Sequence, residues 1–214
     1  MIAAIALLLV IPLAAYLVQS LMDGGDVTES VAGRYALIIA SQAIFVLVPI
    51  RVALIWKAGP ESLGLRRYSL RSIAEGAAAG VILFLLSYGY SLAMSVVAPE
   101  AYERFLNEQV EQLALLEGPF ALQLALAVLL APAAEEIFFR GFCFGGLRGR
   151  FGFAVASGVS AALFAAAHWM PLAAAPLFAI GLGMAVLYER HGALAPAMLA
   201  HATYNLISLS AGPV

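Results

Sequence analysis

"APAAEEIFFRG", residues Ala131–Gly141, places two adjacent carboxylates and a guanidinium in a segment that is otherwise built for lipid. On the amino-terminal side stands "QLALAVLL" and on the carboxy-terminal side "FCFGGL". An ionisable group at the centre of a spanning helix costs about 2.5–3.5 kcal/mol on insertion scales, so three of them need a reason. The rest of the chain sets the context. Of 214 residues, 64% are hydrophobic and 11% charged, with a mean hydropathy of +0.97. A soluble domain of this size could not bury so much apolar surface. Backbone polar groups in a bilayer must be satisfied within the segment, which selects helices. The alternating pattern of a membrane barrel is absent. No basic stripe offers a nucleic-acid surface, and the single cysteine, Cys143, excludes an internal disulfide framework.

Working outward from that segment, seven apolar stretches have roughly the length that spans a ~30 Å hydrocarbon core. They are Ile2–Leu21, Ala32–Trp56, Ile73–Val97, Phe120–Phe144, Phe153–Trp169, Leu172–Tyr188 and Ala193–Leu209. The expectation is therefore an all-α, polytopic transmembrane bundle of about seven spanning helices. It forms one domain, with N-terminal helices and an acidic segment over 1–118 and a polar-residue-bearing half over 119–210. The first stretch lacks a basic leader and a clear cleavage site, and reads as a retained helix. Basic residues follow the second stretch (Lys57, Arg66, Arg67, Arg71) and recur at Arg148, Arg150 and Arg190. Putting them in the cytoplasm gives a cytoplasmic N-terminus. Ala98–Gly118 is acidic, with Tyr102, Phe105, Leu106, Val110 and Leu113 at helical spacing, and reads as an interfacial helix.

Glu136 and Arg140 are one turn apart, acid first, the favourable order for a side-chain pair. Glu135 points about 100° away and is free to face something else. The turn "RGRFG" predicts a hairpin centred near Phe151 and Gly152, and Glu135 and His168 are equally far from it along the two arms. At ~1.5 Å per residue, the two side chains reach the same depth. His201 and Asn205, in "HATYN", share a helix face. Taken alone, that pair fits an interhelical hydrogen bond as well as it fits chemistry. His191, Glu75 and Arg51 read as solvated or interfacial groups.

Together Glu135, His168, His201 and Asn205 can form a hydrolytic centre. The carboxylate takes a proton from water, His168 shares or orients that water, and His201 and Asn205 donate to an oxyanion. Neither Cys143 nor Ser157 has a base at a useful spacing, so water is the nucleophile. Zinc held by Glu135, His168 and His201 is the alternative, although H-E-x-x-H is absent.

"EEIFFR", "FAAAH" and "HATYN" match, in order, the E-E-x-x-x-R, F-x-x-x-H and H-x-x-x-N motifs of the CPBP family, the CAAX-protease and bacteriocin-processing (Abi) intramembrane proteases. The chain resembles that family over roughly Phe120 to Leu209. The resemblance implies peptide-bond hydrolysis within the membrane by a glutamate-dependent, metal-free route. Glu135 would be the base, His168 its partner, and His201 and Asn205 the oxyanion donors, with Glu136, Arg140 and Phe164 supporting the site. It implies a membrane-embedded or lipid-anchored peptide or protein as substrate, no nucleic acid, and no cofactor unless zinc. The short stretch between His168 and His201 departs from the prenyl-protein branch, and the Ala-rich helices suggest a bacterial inner membrane. A non-catalytic immunity protein and a proton-relaying transporter are the competing classes; the inverted repeats of the latter are not visible.

Overall fold

The computed structural model describes residues 30–213. Among them are six helices: α1 (Val31–Ile55), α2 (Leu70–Val97), α3 (Pro99–Leu115), α4 (Phe120–Ala167), α5 (Ala174–His191) and α6 (Ala195–Ala211). Local chemistry sets several of their ends. The Ser30 hydroxyl accepts from the Gly33 N–H at 3.0 Å and starts α1. Ser69 and Ser72 bond each other's backbone N–H groups, a reciprocal cap that starts α2. Gly192, at φ 63°, ends α5 with its N–H on the Tyr188 carbonyl.

The all-α expectation stands, but about seven spans is too many. Among the described residues, three helices are long and apolar enough to cross a bilayer: α1, α2 and the 48-residue α4. The chain is an integral membrane protein. Ile2–Leu21 lies outside the described residues. Phe120–Phe144 and Phe153–Trp169 belong to one apolar element that folds back on itself. The last two helices have 18 and 17 residues, below the ~20 needed to span unaided, and α5 carries charges in its final turn.

The reversal in α4 occurs at Gly152, whose φ of 77° and ψ of 175° lie in a region open essentially to glycine alone. Past it the second arm returns along the first. Phe153 meets Phe144 with ring centroids 6.0 Å apart, Phe164 meets Phe139 at 5.4 Å, and the Ser160 hydroxyl donates to the Phe139 carbonyl at 2.7 Å. This is the register the RGRFG turn predicts. The first arm is the core of the bundle: every residue from Phe138 to Phe144 is buried, with Phe45 of α1 packed on Phe138 and Phe139.

α2 lies against α6 so closely that a methyl group on Gly76 would run into the Pro196 carbonyl, and one on Gly80 into that of Ala200. Small residues one turn apart bring two backbones together in this way. Since His201 follows Ala200, the spacing between α2 and α6 sets the position of the site. Gly80→Val should therefore lower the detergent melting temperature, because the obstruction is backbone that cannot move aside. Gly89→Val, on the same helix with open space at its Cβ, should leave it nearly unchanged. Equal melting curves for the two variants would contradict this packing.

Candidate active site

Arg140 is fully buried, and its guanidinium decides what surrounds it. One nitrogen donates to Glu136 Oε1 at 2.8 Å and another to the Gly181 carbonyl of α5 at 3.0 Å. The face of Phe164, on the second arm of α4, lies 4.6 Å from its central carbon, a cation–π distance. The i, i+4 pair read from the sequence is thus present. Its acid does more than neutralise Arg140. Glu136 Oε1 also accepts from His201 Nδ1 of α6 at 3.0 Å, a contact the sequence reading missed. Glu136 is the junction between the arginine and a site histidine.

Glu135 turns the other way, as its 100° offset requires, toward α1 and α6. Gln42 Nε2 of α1 lies 3.5 Å from Oε1, and His201 Nε2 lies 3.9 Å from Oε2. Oε2 is buried and has no hydrogen-bond partner among the described residues. His201 therefore stands between the two adjacent carboxylates, one at each ring nitrogen. Gln42, deep in an apolar helix and 93 positions away in sequence, had not been singled out; a lone buried glutamine in a spanning helix was its only signal.

His168 closes the second arm of α4. Its Nδ1 is 2.8 Å from the Phe164 carbonyl, which can only accept, so Nδ1 carries a proton, and in the neutral ring the lone pair is on Nε2. Its ring centroid lies 4.7 Å from that of Phe164, whose other neighbour is His201 at 5.6 Å. Asn205 donates through Nδ2 to the Ala127 carbonyl at 2.8 Å. His168, His201 and Asn205 line one cavity of about 250 Å³, together with Phe105, Gln112 and Ile180. Glu135 is not among its lining residues, so the cavity gathers three of the four residues read as a hydrolytic centre. The carboxylate meets the cavity lining at His201, whose Nε2 is 3.9 Å from Oε2.

Helix α3 supplies a wall that sequence reading treated as interfacial surface. Phe105 is buried on the bundle, Gln112 donates to the His168 carbonyl at 3.1 Å, and Glu108 accepts from the Leu172 N–H at 3.1 Å. His191, read as solvated, and Glu75, read as interfacial, are paired: His191 Nε2 lies 3.2 Å from Glu75 Oε2, which Arg190 also reaches at 3.2 Å. Opposite charges at the ends of α2 and α5 draw them together.

Zinc fits this arrangement poorly. Among the described residues no three His, Cys, Asp or Glu side chains are gathered as ligands for a metal ion. Both site histidines already commit Nδ1, one to a carbonyl and one to Glu136.

The comparison with known proteins bears on this same half of the chain. Residues 117–207 match the family model of the Rce1-like type II CAAX prenyl endopeptidases. This segment is an Rce1-like domain of the CPBP family. No curated protein and no solved structure matches the chain. The Rce1-like domain contains every motif residue above, from Glu135 to Asn205, whereas Gln42 and Gln112 lie before it.

Removing the charge at the junction should be severe. Glu136→Gln leaves the buried Arg140 with no full counter-charge, and breaking one side of a buried pair costs about 3–5 kcal/mol. A large fall in melting temperature is expected, whereas Arg148→Ala, which breaks an exposed pair with Glu189, should change it little. Similar melting points for both would show that Glu136 does not carry this role.

Proposed function

We propose that the chain is an intramembrane endopeptidase that hydrolyses a peptide bond of a membrane-associated or C-terminally tagged substrate, with water as nucleophile. The observation that carries this reading is Glu135 Oε2, a buried carboxylate oxygen with no hydrogen-bond partner among the described residues, 3.9 Å from His201 Nε2. Such an oxygen calls for a donor, and a water bound there is held by its future base. His168 supports the second proton role through the lone pair on Nε2. As this water attacks, the carbonyl oxygen of the substrate becomes an oxyanion, for which His201 and the remaining N–H of Asn205 are the donors.

Glu136 Oε1 lies within hydrogen-bond distance of both Arg140 and His201 Nδ1, which leaves His201 Nε2 on the side of Glu135, free to serve as the donor to the oxyanion. Glu136 is thereby an electrostatic partner of the oxyanion site as well as a support for Arg140. No metal enters this scheme.

The cavity has apolar walls from Phe84, Phe105, Leu177 and Ile180 beside its polar residues. That favours a substrate with bulky apolar groups next to the scissile bond. The basic segments favour a cytoplasmic N-terminus, and the composition favours a bacterial inner membrane as the setting.

Cleavage of a co-expressed membrane peptide tests the reading. Glu135→Gln should abolish cleavage and leave the melting temperature near that of the wild type, since it removes a base and keeps the shape. Asn205→Ala should lower turnover by ~10²–10³-fold, as the loss of one oxyanion donor does. Unchanged cleavage by Glu135→Gln would sink the proposal. Chelation should leave activity intact; activity that vanishes on chelation and returns only with one added metal would replace the mechanism by a metal-dependent one.

A further inference from the structure

The Asn205 carboxamide is held by the carbonyl of Ala127, and a helix interior does not ordinarily have a carbonyl to spare. In a regular α-helix the Ala127 oxygen would accept from the N–H of residue 131. Here the Ala131 N–H goes to the Leu126 carbonyl instead, because α4 widens to i→i+5 turns over Ala125–Leu130. In a widened turn, the next donor for Ala127 would be the N–H of residue 132. Residue 132 is proline and has none. The Ala127 carbonyl therefore lacks a backbone donor from either helical pattern, and Asn205 of α6 takes it.

The same proline accounts for the widening. A proline ring inside a helix clashes with the carbonyl four residues earlier, here that of Val128, and disfavours α conformation in the residue before it. Ala131 nevertheless stays helical, with φ −61° and ψ −51°. Opening the preceding turn relieves the clash without breaking the helix, and Pro132 is fully buried at this point. Irregular backbone at membrane depth is tolerated where side chains satisfy it, and Asn205 does so.

We infer that Pro132 is a positioning residue for Asn205: by emptying the Ala127 carbonyl of its backbone donor, it fixes the carboxamide in the orientation that aims its second N–H into the cavity. This rests on the proposed role of Asn205 as an oxyanion donor. Pro132 touches no reacting atom and acts entirely through the hydrogen bond between Asn205 and Ala127.

Pro132→Ala tests it, because alanine is the better helix former and an activity loss cannot be put down to unfolding if the melting temperature is kept or raised. The substitution supplies an N–H at 132 and lets α4 return to regular turns, so a backbone donor competes for the Ala127 carbonyl. The chain has two asparagines, Asn107 and Asn205, so selective nitrogen-15 labelling gives two side-chain amide signals in detergent, assigned by the loss of one in Asn205→Ala. The Asn205 signal should shift in Pro132→Ala while that of Asn107 stays. Turnover is read with two quenched fluorescent peptides, one bearing a prenylated cysteine near its C-terminus and one a plain hydrophobic sequence. On the cleaved probe, kcat should fall about 10–100-fold, as for a displaced catalytic group, with KM unchanged. In an Asn205→Ala background, Pro132→Ala should cost nothing more. An unmoved Asn205 signal overturns the inference whatever the activity. A moved signal with unchanged kcat overturns it as well, provided cleavage depends on Glu135. Cleavage that survives Glu135→Gln overturns the proposed function instead, and the amide signal alone then decides the placement by Pro132.

Discussion

A guanidinium with no access to solvent is the constraint around which this bundle is arranged. Arg140 cannot be left unpaired in a low-dielectric interior, and its partners come from different directions. Glu136 comes from its own arm of α4, the Gly181 carbonyl from α5, and the Phe164 face from the second arm of α4. Through Glu136 the network continues to His201 on α6. The charge that organises the packing is therefore also the charge beside the candidate catalytic groups. This accounts for three ionisable residues within a turn and a half: Glu136 and Arg140 sustain each other, and Glu135, with no such obligation, is left for the proposed proton transfer.

The parts of this arrangement legible in the sequence are those that depend on spacing along one helix or one hairpin. The Glu136–Arg140 pair follows from 3.6 residues per turn, and the register of the α4 arms follows from the glycine at their turn. The number of spans does not follow from hydropathy. Apolar runs of similar length can cross alone or pack back on a neighbour, and only packing distinguishes α1 from the shorter α5 and α6. Contacts across helices were equally hidden. That Glu136 reaches His201 depends on the rotation of α6, which Gly76 and Gly80 set from α2. Neither residue carries chemistry, and a sequence reading registers them as small.

Backbone irregularity is concentrated where the site is built. Two stretches of widened turns, Ala125–Leu130 and Ile137–Phe144, flank the short regular segment Ala131–Glu136 that carries both glutamates. Widened turns recur at functional sites because they release carbonyls and rotate the side chains that follow. Such turns cost hydrogen bonding, and in lipid that cost is prohibitive unless protein groups replace what is lost. The replacements here are side chains from α6 and from the second arm of α4, Asn205 on the Ala127 carbonyl and Ser160 on that of Phe139.

The Rce1-like domain does not hold its site in place unaided. Immediately after His168 the chain turns through Trp169 at φ 55°, a left-handed conformation that a residue with a bulky side chain adopts only when its surroundings impose it. Those surroundings come from before residue 117. Gln112 of α3 bonds the His168 carbonyl, Glu108 bonds the Leu172 N–H, and the Tyr90 hydroxyl of α2 bonds the Leu172 carbonyl at 2.9 Å. Gln42 of α1 approaches Glu135. Residues of the first half, which resemble only generic membrane helices, thus fix the turn behind one motif histidine and approach the motif glutamate. Motif residues supply the chemistry proposed for the domain, and the preceding helices hold the turn behind one of them in place.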